Sequence, residues 1–278
     1  MQLKVKTPAK INLTLEVLNK RADGFHNIQS IMQLIDLYDY LTIDAEPSTT
    51  TTISLSGTSD EIPYNEKNLV YKASKLFLEK TNINAAIKIY IEKNIPISAG
   101  LAGGSTNAAG TIFGLNKIFN EPLAKEELHE ICKQLGSDLN VCLEGGCLVA
   151  TGRGETVKKI PFTNSKVSLI KPLNLGISAK EAYTKYSILK TKPFYDMTTK
   201  MIDTIKIGTD ISQFLYNDLE TAVYSDYEEL QFIKKLLPKS IMSGSGSTYF
   251  VLNQSIPYIE GYWIKNNLNF ISDGVSIV

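Results

Sequence analysis

The stretch "PISAGLAGGSTNAAG", Pro96 to Gly110, places four glycines between two regular patterns. Before it, "AAIKIYIEK" alternates through Ile87, Ile89 and Ile91 with the period of a strand. After it, "TNAAGTIFGLNKIF" reads as a helix. Strand, glycine loop and helix in this order admit two readings. One is a tight structural turn. The other is an anion site: free N–H groups at a helix start, with the aligned peptide dipoles behind them, favour phosphate, and glycines let it approach without Cβ interference. Ser105 and Thr106 would then cap the helix or present hydroxyls to phosphate or Mg²⁺. The loop is not a Walker A sequence, since no lysine follows its glycines. Nor is it a G-x-G-x-x-G fingerprint, since Gly100, Gly103, Gly104 and Gly110 are spaced differently.

Outward from the loop, the first forty residues read as paired strands. Ile11, Leu13, Leu15 and Val17 alternate with mostly polar neighbours, and Asp23-Gly24 in "RADGFH" is a hairpin signal. Extended chain continues through "NIQSIMQLI" and "LYDYLTIDA" to Thr49–Thr52, which fits a strand or an exposed loop. "KNLVYKASKLFLEKT" spaces Leu69, Ala73, Leu76 and Phe77 on one helical face. "EPLAKEELHEICKQLG" predicts a helix with Pro122 in its first turn, Gly136 at its C-cap and His129 on a wet face without a role. "GGCLVATGRGETVKKI" reads as two strands around a glycine turn. A domain boundary soon after it divides the chain into 1–160 and 161–278. Beyond it come a strand "KVSLIKP" and a helix from Ser178, where Ser178 and Glu181 have capping-box spacing. "NDLETAVYSDYEELQFIKKLL" is largely helical, and "SIMSGSGSTYFVL" is strand, glycine loop and strand. A helix around "YIEGYWIKNNL" and a strand "VSIV" close the chain. The fold class is α+β, since strands and helices interleave without a repeated β-α-β pattern.

Composition narrows the function. The 278 residues suffice for one large domain or two smaller ones, and 43% hydrophobic with 21% charged residues is ordinary for a soluble protein. Formal charge is zero, which disfavours nucleic acid as a partner. No apolar run approaches the roughly 18 residues of a membrane span, and "MQLKVKTPAK" lacks a signal-peptide core, so the cytoplasm is expected. Cys132, Cys142 and Cys147 form no C-x-x-C pair and are expected as reduced, partly buried thiols. With only His26 and His129 available, a histidine triad or a multi-histidine metal site is excluded, and any proton-moving base should be a carboxylate.

Three segments, "TPAKINLTLEV", "PISAGLAGGSTNAAG" and "MSGSGST", resemble in order the motifs of the GHMP small-molecule kinases. Within that family, "AKINLTLEVLNKRADGFHNIQS", "AGLAGGSTNAA", "LGSDLNV" and "YNDLE" are similar to the branch that phosphorylates a cytidine diphosphate-linked methylerythritol in non-mevalonate isoprenoid synthesis; the likeness runs from Lys6 to about Phe250. The resemblance implies two domains, an N-terminal one like the second domain of ribosomal protein S5 and a ferredoxin-like C-terminal one. It also implies ATP with Mg²⁺ and a small-molecule acceptor, in a monomer or homodimer with no nucleic-acid or membrane partner.

Carried onto this sequence, the family's base that takes the acceptor's proton falls on Asp138, and its paired lysine on Lys10. Read without the family, Asp138 in "LGSD" is a turn or cap residue and Lys10 a solvated strand-edge charge. Paired in a cleft, the cation would favour the charged carboxylate and stabilise charge during transfer. The implied ATP site comprises Pro96, Gly100, Leu101, Ala102, Gly103, Gly104, Ser105, Thr106 and Asn107, with Asn68 and Lys93 near the adenine and Ser105 as the Mg²⁺ ligand. The implied acceptor site comprises Asn12, a cytosine sandwich of Phe25 and Tyr183, His26 on the base edge, and Gly244, Ser245 and Gly246; core packing is the ordinary fate of such aromatics. The sequence departs from the family pattern in "LNVCLEGG" after Asp138, where proline and aromatics are usual. It also departs at Ser247 in place of proline, at the run Gly103 to Thr106 in place of a serine pair, and at Phe25 in place of tyrosine. The alternatives are a homoserine- or mevalonate-type kinase and a silent ATP- and metabolite-binding regulator. "RADGFH" suits a nucleobase better than a small aliphatic alcohol, and retention of Lys10 and Asp138 argues for activity.

Overall fold

The structure, a computed structural model, describes residues 1–161, 164–189 and 194–278. In chain order the elements of the first part are β1 (Gln2–Lys20), β2 (His26–Pro47), β3 (Thr52–Gly57), α1 (Leu69–Thr81), β4 (Ala85–Glu92), α2 (Gly103–Ile118), α3 (Lys125–Leu135), α4 (Leu139–Glu144), β5 (Cys147–Thr151) and β6 (Thr156–Ile160). They continue with β7 (Lys166–Pro172), α5 (Ala179–Ser187), α6 (Met197–Ile207), β8 (Tyr216–Asn217), α7 (Asp218–Val223), α8 (Glu228–Leu236), β9 (Ile241–Met242), β10 (Tyr249–Leu252), β11 (Tyr262–Asn269) and β12 (Ser276–Ile277).

β1 and β2 form one long hairpin closed at the "RADGFH" turn, where Gly24 takes φ +86°. Their pairing slips after Pro8, Asn12 and Val17, and such irregularities re-aim side chains along a strand. The first sheet runs β12-β1-β2-β4-β3, with β5 and β6 continuing from β2 and β8 lying parallel to β1. The second runs β11-β7-β10-β9. The chain leaves the first sheet after β6, but β8 and β12 return to β1.

One apolar cluster joins the first sheet to α1, α2 and α3 through Leu41, Ile43, Phe77 and Ile112. Gly110 and Gly114 let α2 lie close on that sheet: a Cβ on Gly110 would stand 2.4 Å from Thr7 Cγ2, and one on Gly114 2.5 Å from Ile43 Cδ1. Two further clusters pack β1 and β2 against the second sheet, through Ile11, Leu13, Leu169 and Phe250, and through Leu15, Leu34, Ile170 and Tyr249. The β1–β2 hairpin is thus covered on both sides, which makes it the natural frame for a cleft.

Several expectations are corrected. "YIEGYWIKNNL" is not helical: Gly261 turns the chain at φ +82°, and Tyr262–Asn269 pairs antiparallel with β7 as β11. Tyr, Trp and Ile favour such a pleated edge. Pro122 lies outside α3, which starts at Lys125. Asn116 bonds both the N–H and C=O of Leu123, and Glu127 accepts from the Ala124 N–H, so the chain stays in a loop until 124. Gly136 is the C-cap as expected. His129 is not on a wet face; it is half-buried and 2.7 Å from Glu144 Oε1. Ser178 caps α5 by accepting from the Glu181 N–H, but the Glu181 carboxylate turns to Lys185 and Tyr227, so only half of the capping box forms. The three cysteines are free and fully rather than partly buried, and burial pushes each thiol up to about 12.

Candidate active site

β1 carries the first site residues. Lys10, Asn12, Thr14 and Glu16 occupy its polar alternate positions, and all four are buried, Lys10 being only 3% exposed. The expectation of a solvated lysine fails because the glycine loop and the loop around Gly244 close over Lys10. A buried ammonium needs partners. Lys10 Nζ donates to Asn12 Oδ1 at 2.6 Å and lies 3.5 Å from Asp138 Oδ2. Asn12 in turn donates to Ser30 Oγ at 2.9 Å, which fixes its carbonyl toward the lysine.

Asp138 occupies the N-cap position of α4, yet its side chain makes no capping bond. Its carboxylate faces Lys10 instead and is about a quarter exposed, open to the cleft. The short helix α4 is the "LNVCLE" segment that departs from the family pattern. It turns Cys142 inward, where burial and then the nearby Asp138 charge keep the thiol protonated.

The glycine loop differs from its sequence reading in where the helix starts and in what caps it. α2 begins at Gly103, three residues earlier than "TNAAG" indicates, because Ala102 takes the left-handed conformation, φ +61°, immediately before it. Neither Ser105 nor Thr106 caps the helix. Ala102 is the N-cap and no side chain satisfies the first turn. The first backbone bond of the helix runs from Thr106 N–H to Ala102 O, so the N–H groups of Gly103, Gly104 and Ser105 lack intrahelical partners. Lys10 N–H donates to Leu101 O at 3.1 Å and ties this loop to β1.

Two cavities meet here. The larger, about 760 Å³, is bounded by Lys10, Asn12, Asp138, Phe25, His26 and Tyr183 among others, and that size suits a small ligand. The smaller, about 270 Å³, is bounded by Asn68, Lys93, Pro96, Leu101, Asn107 and the run Gly103 to Ser105. Gly100, Ala102 and Ser105 line both.

The remaining expected residues are placed as follows. Asn68 caps α1 by accepting from Val70 N–H at 2.9 Å and donates to Pro63 O. The Lys93 ammonium pairs with the buried Asp39 carboxylate, whose other oxygen accepts from Asn94 and Ile95 N–H. Asn107 accepts from Thr7 Oγ1 at 2.9 Å. Thr106 is fully buried and lines neither cavity. His26 stacks on Tyr183 with ring centroids 5.4 Å apart and planes 16° apart. Burial, and then the charges of Asp138 and Asp218, hold the Tyr183 phenol above its ordinary range. Phe25 is 52% exposed rather than in the core, and the Arg153 guanidinium sits 4.9 Å from its ring centre.

In the third loop, "MSGSGST" (Met242–Thr248) leading from β9 into β10, Gly244 and Ser245 line the larger cavity, whereas Gly246 does not; it turns toward Met242 and Ile177. The serine hydroxyls of this loop donate to main-chain carbonyls: Ser243 to Gly100, Ser245 to Ile177 and Ser247 to Leu175. Gly100 requires glycine, since at φ +72° a Cβ would stand 2.0 Å from Ser243 O. Lys20, Lys180 and Arg153 also line the larger cavity and were not singled out from sequence. Arg153 offered only the weak signal of a cation between two glycines in "TGRGET".

The profile of the family described as "GHMP kinases N terminal domain" matches residues 68–147, from the α1 cap through the glycine loop and Asp138 to the start of β5. Among solved structures, the chain superposes on a homoserine kinase from Cytophaga hutchinsonii with TM-score 0.76 at 17% identity, covering 100% of this chain and 97% of that one, a likeness of fold alone. Fold and profile, together with curated relatives about 40% identical over most of the chain, define a two-domain α+β GHMP kinase, an ATP-dependent small-molecule kinase. A curated 4-diphosphocytidyl-2-C-methyl-D-erythritol kinase of Clostridium perfringens is 40% identical over 255 residues, 89% of this chain and 88% of its own. One from Caldanaerobacter subterraneus is 38% identical over 270 residues, 94% and 92% of the two chains. A crystal structure of a 4-(cytidine 5'-diphospho)-2C-methyl-D-erythritol kinase matches with TM-score 0.75 at 25% identity, covering 98% of this chain and 100% of the other. The chain belongs to the 4-diphosphocytidyl-2-C-methyl-D-erythritol kinase family. Among the described residues, no helix is long and apolar enough to cross a membrane.

Proposed function

We propose that this protein transfers the terminal phosphoryl group of ATP to the 2-hydroxyl of 4-diphosphocytidyl-2-C-methyl-D-erythritol, as a cytoplasmic enzyme of isoprenoid precursor synthesis. The observation that carries this reading is the junction of the two cavities. The uncapped start of α2 supplies free N–H groups to the smaller one, and the Lys10–Asp138 pair stands in the larger one beside the same loop. Nucleotide phosphates at the helix mouth would then end next to an acceptor hydroxyl at Asp138.

Phosphoryl transfer depends on positioning and on neutralising charge, with a carboxylate orienting the nucleophile. Asp138 accepts the hydroxyl proton, and Lys10, held by Asn12, stabilises negative charge on the oxygens in flight. The N–H groups of Gly103, Gly104 and Ser105 hold the donor phosphates. Mg²⁺ fits the donor chemistry as an ion carried by those phosphates. Oxygen donors on the lining of the larger cavity include the Ser105 hydroxyl and the Asp138 carboxylate, and no cluster of three or more His, Cys, Asp or Glu is built for a metal among the described residues. When bound, the ion would neutralise phosphate charge. On the acceptor side, Phe25, His26 and Tyr183 offer flat surfaces and a polar edge to a pyrimidine. Lys20, Lys180 and Arg153 offer cations to a diphosphate.

The test is ADP release with ATP and, separately, the cytidyl substrate, homoserine, mevalonate or no acceptor. Turnover is expected with the cytidyl substrate alone. Turnover confined to homoserine or mevalonate would assign the site to another GHMP kinase activity, and turnover with none would leave a ligand-binding regulator.

A further inference from the structure

The segment "YNDLE", Tyr216 to Glu220, lies far along the chain from the glycine loop and from Asp138, yet its polar side chains are spent on them indirectly. Asn217 is 3% exposed. Its Oδ1 accepts from Leu219 N–H at 2.8 Å and caps α7, while its Nδ2 donates to Met242 O at 2.6 Å and Gly244 O at 2.8 Å. Glu220 accepts from Met242 N–H, and Asp218 accepts from Val17 N–H of β1 at 2.7 Å. Asn217 itself pairs with Leu15 of β1 through β8. The segment therefore braces the third loop against the strand that bears Lys10 and Asn12.

The braced loop presses on the lysine. A Cβ built on Gly244 would stand 3.1 Å from Lys10 Nζ, 3.4 Å from Asn12 Oδ1 and 3.0 Å from Gly100 O. Gly244 therefore forms the wall that keeps the ammonium out of water and directed at Asp138, and it packs on the nucleotide loop at Gly100. Moving that wall by an ångström would let Lys10 leave its place beside Asp138.

We propose that Asn217 is a positioning residue of the kinase reaction: by donating both of its amide protons to the third loop it sets Gly244 against Lys10. This rests on the reading of Lys10 and Asp138 given above. Both Met242 O and Gly244 O need a donor at this one point, and an asparagine provides two N–H groups and a capping oxygen at once. Aspartate has the same shape and keeps the cap but presents only acceptors to the two carbonyls. Serine keeps a capping oxygen and leaves both carbonyls without the amide.

The experiment compares Asn217→Asp and Asn217→Ser with the wild type and with Asn116→Ala. The control loses buried hydrogen bonds to Leu123 but lines neither cavity. Turnover is expressed per folded molecule, with the folded fraction read from thermal melts. The expected result is a fall in kcat of about tenfold or more in both Asn217 variants, since displacement of about 1 Å near the chemistry costs up to about a hundredfold, with the KM for ATP changed less than about threefold. The Asn116→Ala control should lose thermal midpoint and keep its kcat. A kcat within about twofold of wild type in both folded Asn217 variants, or an equal fall in the control, overturns the proposal. A wild type inactive on every acceptor overturns instead the reading beneath it, so the two failures are separable.

Discussion

An aspartate one residue beyond a short loop normally caps the helix that follows, and a carboxylate so engaged is a poor base. Asp138 stands at that position before α4 without making the capping bond, and its Oδ2 lies 3.5 Å from the Lys10 ammonium. Asp138→Asn preserves shape and removes the proton acceptor. The expected outcome is a kcat lower by about 10²–10⁴-fold, the usual contribution of general-base assistance, with the affinity for a non-hydrolysable ATP analogue largely kept. Calorimetric titration of the analogue alongside ADP release checks both halves; an unchanged kcat would remove the base from Asp138. At this scale the sequence pointed to the residues that meet in the cleft, Lys10, Asn12 and Asp138, through family likeness more than through pattern. Lys10 and Asn12 look like the wet side of an alternating strand, and nothing in residues 9–17 reveals that a loop some ninety positions on and another near residue 244 bury that side. Phe25 shows the reverse: an apolar residue next to a turn glycine reads as core, whereas it is half in solvent under Arg153.

Elements supply the rigidity that those residues need. α7 is only six residues long and yet buries Asp218 and Glu220 at its start. Burial pushes the Asp218 carboxyl up, against the hydrogen bonds from Tyr216 and Val17 that favour its charged form, and burial likewise raises Glu220 against the pull of Lys234. A carboxyl whose folded-state pKa exceeds the unfolded value binds its proton more tightly when folded. Its stabilising contribution is therefore complete below the unfolded pKa and lost as pH rises through the folded one. Asp218→Asn removes that titration. The wild type should thus be most favoured over the variant near pH 4 and progressively less so toward neutrality, measured as the difference in urea midpoints at the two pH values. A difference independent of pH would mean that Asp218 titrates as in the unfolded chain. Local signals were sufficient for the hairpin at Asp23-Gly24, for the apolar face of α1 and for the Ser178 cap of α5. They failed where tertiary pairing decides. Residues 262–269 have no strict alternation, and only their place beside β7 makes them a strand. The start of α2 likewise depends on Ala102 accepting a left-handed backbone, which an alanine in sequence does not announce.

On the scale of the whole molecule, charge is evenly balanced, 29 basic against 29 acidic residues, but the cleft is not. Lys10, Lys20, Lys180 and Arg153 line the larger cavity, and among the described residues Asp138 is its one carboxylate. The cavity draws on both halves of the chain: β1, the hairpin tip and the glycine loop from one, α5 and the third loop from the other. The return of β8 and β12 to β1 locks those halves together, so the cationic wall is a fixed property of the folded protein and not of either half. Cations concentrated in a concave, low-dielectric site raise the local concentration of an anionic substrate, and salt weakens this because the screening length falls from about 10 Å at 0.1 M to about 3 Å at 1 M. Both proposed substrates carry phosphates. Raising the salt from about 0.05 to about 0.5 M should therefore lower kcat/KM for the cytidyl acceptor several-fold, while kcat at saturation changes little, because Lys10 and Asp138 are held at short range and screened less. Lys180→Gln should flatten that salt dependence, since it removes one cavity cation that holds no catalytic role in the proposed reaction. Steady-state kinetics at four salt concentrations, wild type against variant, decide it: a kcat/KM indifferent to salt in both would mean that the cations serve packing and that the acceptor enters by shape alone.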